Sequence, residues 1–399
     1  MGQHLLLTFD FPPMGGGIAR WMGELAQRYP AGTLVVSTGQ QSDGEAVDRT
    51  YPNRVDRVNV PARRLRTAQG LVRWTHRAGK LCRSEGIDFV WCGQVRPAAY
   101  PARWVHAVTR TPYGLVVHGR DLQILRRRIR WASKRPIVRT LLGSAAAIVA
   151  NSRWTADLCG QIFDDLRLAL PDARLHVVPL GADPDLFRPG LDPTMARSVH
   201  ELPAGRWLVT VARLSPHKGV DTGIRCLAAL GTDIPELRYA VAGTGPDLDR
   251  LETLARDLGV RDRVHFLGQV PDVHLPALYN LGEVYLGPSR LEEQDVEGFG
   301  IAIVEASASG LPVIVGRSGG TADAVLEGET GMLVDPEDPG AYAEALRLLL
   351  GDRSLARAMG EAGRRAVETF FNWDRVAEAM RDIGREAAVA SRAGRGSAD

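Results

Sequence analysis

Two glutamates, Glu297 and Glu305, stand eight residues apart in the stretch DVEGFGIAIVEASASGLPVIV, residues 295–315. A plain core helix needs neither an acid before a glycine turn nor a second acid inside the apolar segment that follows. Gly298 and Gly300 permit a tight turn and close backbone approach. A helix is expected from about Phe299 to Ser309, stopped by Gly310 and Pro312. The unbonded amides at its start suit a phosphate. Glu305 then falls in the second turn and Glu297 in the preceding loop. A carboxylate accepts a pair of vicinal hydroxyls well. The segment therefore suits a phosphorylated, hydroxyl-rich ligand, although a surface helix with two unrelated acids fits the spacing as well.

A second constellation is VARLSPHKG, residues 211–219, where Arg213 and Lys218 sit five apart after an apolar run and Gly219 precedes a helical pattern. Two cations beyond the carboxyl end of a strand suit a diphosphate, Arg as a fork and Lys as a point charge. The alternative is a solvated loop with ordinary charges. AGTGPD (242–247) places Gly243 in another glycine-rich turn, but Leu248 stands where a third glycine of GxGxxG belongs. That gives a nicotinamide cofactor little support. In the first half, FDFPPMGGGIAR (9–20) brings Gly15, Gly16 and Gly17 to the start of a helix. It offers backbone amides without the Lys-Ser/Thr ending of a P-loop, so ATP hydrolysis is disfavoured. VVHGRDL (116–122) places His118 just past a strand, with Asp121 three residues on. A histidine there is a better site candidate than most, though a lone histidine is usually a packed or surface residue. Two DxD spacings occur, Asp183/Asp185 and Asp247/Asp249. The first lies in a Pro- and Gly-rich stretch and the second opens a helix, where Asp is favoured as a cap. No metal ligand is expected.

The elements that must carry these loops are legible as apolar runs. Strands are expected at 5–9, 33–37, 89–92, 114–117, 147–150 and 176–179, then at 207–211, 238–242, 264–267, 284–286, 313–315 and 332–334. Helical patterns intervene, as at 17–28, 70–84, 220–230, 248–258 and 341–350. Unbroken apolar strands alternating with helices indicate an α/β chain with parallel sheets covered on both faces. The strands form two sets, separated by GADPDLFRPGLDP (181–193), which reads as a linker. Two domains are expected, 1–190 and 191–372, each doubly wound, with the default site in a cleft between their strand ends.

The 399 residues suffice for two or three domains, and 45% apolar with 24% charged residues is a globular composition. A net charge of +2 gives no electrostatic case for nucleic-acid binding. The four cysteines show no CxxC pairing, which favours reduced thiols in a cytoplasmic protein over zinc. The N-terminus lacks the pattern of a signal peptide, and no uncharged window is long enough to cross a membrane.

Taken together, these motifs resemble a retaining glycosyltransferase of the GT-B fold, family four. The resemblance runs from FPPMGGG through HGRD, VANSRWTADL, VPLGADPDLFRP, VARLSPHKG, VAGTGPD, EGFGIAIVEA, SGGTADAV and GMLVDPED to NWDRVAEAM. Glu297 and Glu305 match the family's E-x7-E motif. The resemblance implies two Rossmann-like domains, 1–190 for the acceptor and 191–372 for a nucleotide sugar, with a crossover helix at 373–390 returning to the first. It implies that Glu305 holds the donor ribose and that Glu297, with the amides of Phe299, Gly300 and Ile301, meets the transferred sugar. Arg213 and Lys218 match the diphosphate clamp. His118 matches the histidine beside the reacting centre, and Gly15–Gly17 the loop near the diphosphate and acceptor.

Within the family the chain is most similar to phosphatidylinositol-mannoside mannosyltransferases. That similarity implies a GDP-mannose donor, a lipid-linked or small-molecule acceptor, and no cofactor or metal. A GT-B nucleotide-sugar epimerase and a non-catalytic nucleotide-sugar binder are the competing classes. GGTAD (319–323) departs from the family's GGxPE, and the segment 40–66 is diverged. Two basic runs, RRLR (63–66) and RRRIRWASKR (126–135), suggest peripheral contact with an anionic membrane, at the inner face of the plasma membrane. A solvated arginine-rich helix or an acceptor-phosphate site is the alternative.

Overall fold

A computed structural model describes residues 2–59, 64–231, 233–292 and 295–396. Arg63, which opens the first basic run, lies outside the described residues, as do the side chains of Arg64 and Arg66. The chain forms two compact units, one reaching to Val178 and resumed from Trp373, the other running from Pro179 to Asn372.

The first unit is built on seven parallel strands: β1 (Gln3–Leu7), β2 (Leu34–Gly39), β3 (Arg54–Val58), β4 (Ile87–Cys92), β5 (Tyr113–Val117), β6 (Ala147–Ala150) and β7 (Leu175–Val177). Their order is β3-β2-β1-β4-β5-β6-β7. Leu5 pairs with Val35 on one side and Val90 on the other, and all three are buried. Burial on both faces is why these strands read as unbroken apolar runs. β3 escaped the sequence reading because RVDRV alternates charge with valine. It is an edge strand, and its one buried acid, Asp56, is held by the Arg77 guanidinium at 2.9 and 3.0 Å.

The second unit has six parallel strands: β8 (Arg206–Val211), β9 (Leu237–Ala242), β10 (Val264–Gly268), β11 (Val284–Gly287), β12 (Val313–Gly316) and β13 (Gly331–Val334). Their order is β10-β9-β8-β11-β12-β13. Its core joins strand residues such as Leu208, Tyr239 and Leu286 to Leu227 and Leu346 from the covering helices.

The boundary near Leu191 is corrected. The second unit starts at Pro179, and the Pro- and Gly-rich stretch expected as a linker is fastened to it. The Arg364 guanidinium donates to the carbonyls of Pro184 and Phe187, both at 2.7 Å, and the Leu191 amide donates to Asn280 Oδ1 at 3.1 Å. Composition reported the irregular backbone correctly but could not reveal the side chains that satisfy it.

The last helix, Trp373–Gly396, groups with the first unit, packing on the helix Gly17–Arg28 and on β4. Trp373, Val376 and Met380 bury its apolar stripe, and Arg28 Nε lies 3.3 Å from the Asp374 carboxylate. Among the described residues no helix is long and apolar enough to cross a membrane. The four cysteines are buried free thiols.

Candidate active site

In each sheet the strand order reverses once, between β1 and β4 in the first unit and between β8 and β11 in the second. The loops leaving the carboxyl ends of such a pair diverge, and doubly wound sheets bind ligands there. Gly15–Gly17 follow β1, and Arg213 and Lys218 follow β8, so both motifs fall at these points.

In the second unit, the loop after β8 turns through a short 3-10 segment, Pro216–Lys218, into the helix Val220–Ala229. Gly219 makes the junction at φ 65°, where a Cβ would come within 1.8 Å of the Pro288 carbonyl oxygen. Only glycine allows β11's loop this close. Gly243 does the same for the neighbouring loop, since its Cβ would sit 1.8 Å from the Ala212 carbonyl oxygen. The Leu214 amide donates to the Thr244 carbonyl at 2.9 Å, so AGTGPD buttresses the segment that carries Arg213. Arg213 is exposed, and its guanidinium has no hydrogen-bond or ion-pair partner among the described residues. Lys218 instead contacts the carboxylate of Glu297 directly.

That contact settles the state of Glu297. Burial pushes its carboxyl up, but Lys218, then His217 and the Phe299 amide, outweigh burial and hold it below the usual glutamate value. His217 is buried and kept low by that burial and by the Lys218 charge, which favours its neutral form. The Glu297 carbonyl accepts the Gly320 amide at 2.9 Å, so GGTAD fixes the backbone beneath the acid. Beyond Glu297 the chain turns at Gly300, φ 103°, into the helix Ile301–Ala308, which starts two residues later than expected. The Phe299 amide is therefore spent on Glu297, while Gly300 and Ile301 stand at the helix start. Glu305 is buried inside this helix, and the Tyr279 hydroxyl donates to its Oε2 at 2.9 Å. The structure thus brings Arg213, Lys218, Gly243, Glu297 and Gly300 to one end of one sheet, with Glu305 in the helix that follows.

Sequence reasoning missed the other side of this point. Arg290, in the loop after β11, donates its amide to the His217 carbonyl at 2.8 Å. Its guanidinium clamps Asp221 at 2.9 and 3.2 Å and reaches Glu292 at 3.0 Å. Asp221 sits in the first turn after Gly219, so this ion pair ties the two switch-point loops together. A single arginine after a strand carries no spacing signal. The buried acid two residues past Gly219 was the only hint.

One acid of each DxD spacing is engaged locally. Asp183 Oδ1 accepts the amides of Asp185 and Leu186 at 2.9 and 3.1 Å. Asp247 does not cap its helix as expected. Arg250 takes its carboxylate at 2.6 and 2.7 Å, because a fork on the same helix outcompetes single amides. Among the described residues no three His, Cys, Asp or Glu side chains converge as a metal site requires.

In the first unit, Gly15, Gly16 and Gly17 are exposed, and Cβ atoms at Gly15 and Gly16 would meet nothing. These glycines thus serve no internal packing; they leave the backbone bare. Across the switch point, Gln94 after β4 ties down the same loop. Its Oε1 accepts the Thr8 hydroxyl at 3.0 Å and the Phe9 amide at 3.4 Å, and its amide group reaches Asp10 at 3.4 Å. Burial raises the Asp10 carboxyl, and His118 opposes the rise. His118 caps the helix Gly119–Ile129 in a reciprocal box with Asp121, whose Oδ1 accepts the His118 amide at 2.8 Å. Its Nε2 lies 2.8 Å from the Gly93 carbonyl and therefore carries the proton. Its ring meets Trp21 edge-on at 5.3 Å. The expectation of a histidine at the strand end holds, but its ring hydrogen is already committed.

Comparison with known proteins agrees with this architecture. Residues 15–186 match Glycosyltransferase Family 4 and residues 196–366 match Glycosyl transferases group 1. The chain is 33% identical, over 96% of its length and 98% of the relative's, to a GDP-mannose-dependent alpha-(1-6)-phosphatidylinositol monomannoside mannosyltransferase of Mycobacterium tuberculosis strain H37Rv. It is 39% identical over 54% of its length, and 52% of the relative's, to a D-inositol 3-phosphate glycosyltransferase of Corynebacterium glutamicum strain R. The fold is shared with Anabaena HepE in complex with UDP and glucose, at TM-score 0.78, 19% identity and coverage of 96% of this chain and 99% of that one. It is also shared with sucrose-phosphate synthase of Thermosynechococcus elongatus, at TM-score 0.75, 21% identity and coverage of 97% and 100%. Two Rossmann-like units with glycine-opened loops, an E-x7-E pair and full-length similarity place the chain in glycosyltransferase family four, with the GT-B fold, as a glycosyltransferase.

Proposed function

We propose that the chain transfers mannose from GDP-mannose to a hydroxyl of a lipid-linked acceptor, with retention of configuration. The observation that carries the reading is the exposed, unpartnered Arg213 beside the Lys218–Glu297 pair at the second unit's switch point. An anionic leaving group is the partner that such an arrangement lacks. The name of the mycobacterial relative, similar along its whole length, favours mannose, GDP and a lipid acceptor.

In this reading Arg213 and Lys218 take the diphosphate, and the Gly300 and Ile301 amides add the positive end of their helix. Together they stabilise the charge that grows as the sugar–phosphate bond breaks. Lys218 also orients Glu297, kept ionised, toward the sugar hydroxyls. Glu305, steadied by Tyr279, accepts the ribose hydroxyls. Gly243 keeps the adjacent loop close, and in the first unit the bare backbone of Gly15–Gly17 suits an anion or an acceptor hydroxyl. We assign His118 to positioning, since its ring proton is committed to Gly93. No protein nucleophile takes part: the departing phosphate accepts the acceptor's proton as the new glycosidic bond forms on the same face. No metal is invoked, because Asp183 and Asp247 are taken up within their own loops and two cations meet the diphosphate.

The test is a donor panel of GDP-mannose, UDP-glucose and UDP-N-acetylglucosamine, offered after EDTA treatment with and without detergent-dispersed phosphoinositide. Label from GDP-mannose entering lipid, with GDP released only when acceptor is present, is the expected result. Epimerised donor would install the epimerase instead. Donor bound but never consumed would make the chain a binder, and activity restored only by magnesium or manganese would overturn metal independence.

A further inference from the structure

The second basic run forms part of a larger surface. Between Asp88 and Asp157 the sequence carries one acid, Asp121, and that acid is turned to the His118 and Val95 amides. The rest of the stretch holds arginines, in a chain whose overall charge is only +2. Helix Gly119–Ile129 buries Leu122, Leu125 and Ile129 and exposes Ile124, Arg127 and Arg128, which share a face at helical spacing. Arg126 is engaged by Gln161 and Asp165, and Arg135 and Arg139 donate to backbone carbonyls. The side chains of Arg127, Arg130 and Lys134 are exposed and have no hydrogen-bond or ion-pair partner among the described residues.

Set against these charges is apolar surface that burial left out. Trp131 is 72% exposed, and Ile124, Val108 and Ile137 are exposed as well. The helices Ala99–Thr109 and Arg135–Gly143 enclose a groove of about 470 Å³ whose walls include Tyr100, Trp104, Ile137 and Leu141, with Arg103 beside them. A solvated arginine helix needs neither an exposed tryptophan nor an apolar groove.

We propose that this face of the first unit is a docking surface for an anionic phospholipid bilayer. Arg127, Arg130 and Lys134 meet headgroup phosphates, Trp131 and Ile137 enter the interfacial layer, and the groove takes apolar chain. Charge decides the occupant. A second copy would set cationic face against cationic face, which repels, and a purely polyanionic partner would leave tryptophan and groove unused. The inference deepens the reading of a lipid-linked acceptor and rests on it only for its purpose, since the surface is defined by residues apart from the candidate active site. The helix that ends in this basic segment is capped by His118, so docking would hold the far end of that helix at the membrane.

The experiment is vesicle co-sedimentation of the full chain. Binding is expected to vesicles of phosphatidylcholine with phosphatidylglycerol and not to phosphatidylcholine alone, and to weaken with salt. The triple variant R127E/R130E/K134E should bind at least roughly a hundredfold more weakly, at about a fivefold loss per surface cation removed, with repulsion from the new carboxylates added to that. Brominated lipid should quench tryptophan emission in the wild type and less in W131F. Recovery in the supernatant, equal binding to neutral vesicles, undiminished binding of the triple variant, or quenching unchanged in W131F would each overturn the proposal. Nucleoside diphosphate binding, which uses none of these residues, reports that every variant is folded. If vesicles bind but no lipid accepts mannose, the acceptor reading fails and the surface stands. If dispersed lipid accepts mannose and vesicles do not bind, the surface fails and the reading stands.

Discussion

Replacing Lys218 with alanine should change both the rate and the pH dependence of transfer. Lys218 and Glu297 each keep only 20% of their side-chain surface exposed, so their contact is little screened. Two unit charges about 4 Å apart interact by about 4 kcal/mol at an effective dielectric near 20, and desolvation of both ends offsets part of this. Removing a cation from a leaving-group site costs about 2–4 kcal/mol of transition-state stabilisation, or roughly 30- to 1000-fold in kcat/KM. The second effect follows from Glu297. Burial raises its carboxyl and Lys218 is the largest force opposing that rise. With the lysine gone, burial prevails and the carboxyl titrates at higher pH. The sign runs one way: a carboxylate whose folded value is depressed stabilises the fold above its unfolded value, and this support fades as pH falls through the folded value. In Lys218→Ala that support disappears, and the acid limb of kcat/KM moves toward neutral pH.

The assay is kcat/KM against pH for the wild type, Lys218→Ala, Glu297→Gln and the double variant. Because the two groups act on each other, the double variant should lose less than the sum of the singles. Strictly additive losses, or an acid limb that stays in place in Lys218→Ala, would refute the coupling. Wild-type kcat/KM in Lys218→Ala would remove Lys218 from the donor site altogether.

Two further outcomes follow from groups away from the reacting atoms. Arg290→Met should destabilise the chain by about 3–5 kcal/mol, the cost of leaving one half of a buried pair, at the low end because Arg250 remains 3.6 Å from Asp221. Chemical denaturation of the chain without ligand reads it, and Asp221→Asn in the same chain should recover part of the loss. His4 is buried with its pKa lowered from 6.5 to about 4, chiefly by desolvation and then by Arg381. The unfolded chain therefore binds a proton that the native chain refuses, and stability should fall by about 3 kcal/mol as pH drops from 6.5 to 4 and level off below. His4→Gln should flatten that slope; an unchanged slope would show that another group carries it.

The parallel sheets were legible because most strands are buried and written as apolar runs, and twelve of the thirteen described strands fell at or beside such a run. The exception, β3, is an edge strand with one buried acid paired across to Arg77, and its pattern of charge and valine resembles a loop. The linker was misjudged for a related reason. Proline, glycine and aspartate mark irregular backbone but not whether that backbone is fastened, and here Arg364, far along the chain, fastens it. The E-x7-E spacing was visible. That Phe299 spends its amide on Glu297, and that Tyr279 meets Glu305, was not, because both depend on where side chains point.

At each switch point one loop is rich in glycine and the other is not, and this asymmetry explains what sequence could show. Gly15–Gly17 and the Gly219 junction stand out because close backbone approach leaves a compositional trace. Their counterparts after β4 and β11 are Gln94 and Arg290, single polar residues with nothing repeated around them. Yet each counterpart restrains its glycine-opened loop: Gln94 holds Thr8 and Phe9, and Arg290 holds His217 and Asp221. A loop with exposed glycines costs much conformational entropy to order. Bonds from the neighbouring strand's loop supply that order without filling the space a ligand would occupy. The glycines that leave room for a ligand are therefore legible, while the residues that hold their loops in place are found only by following the hydrogen bonds.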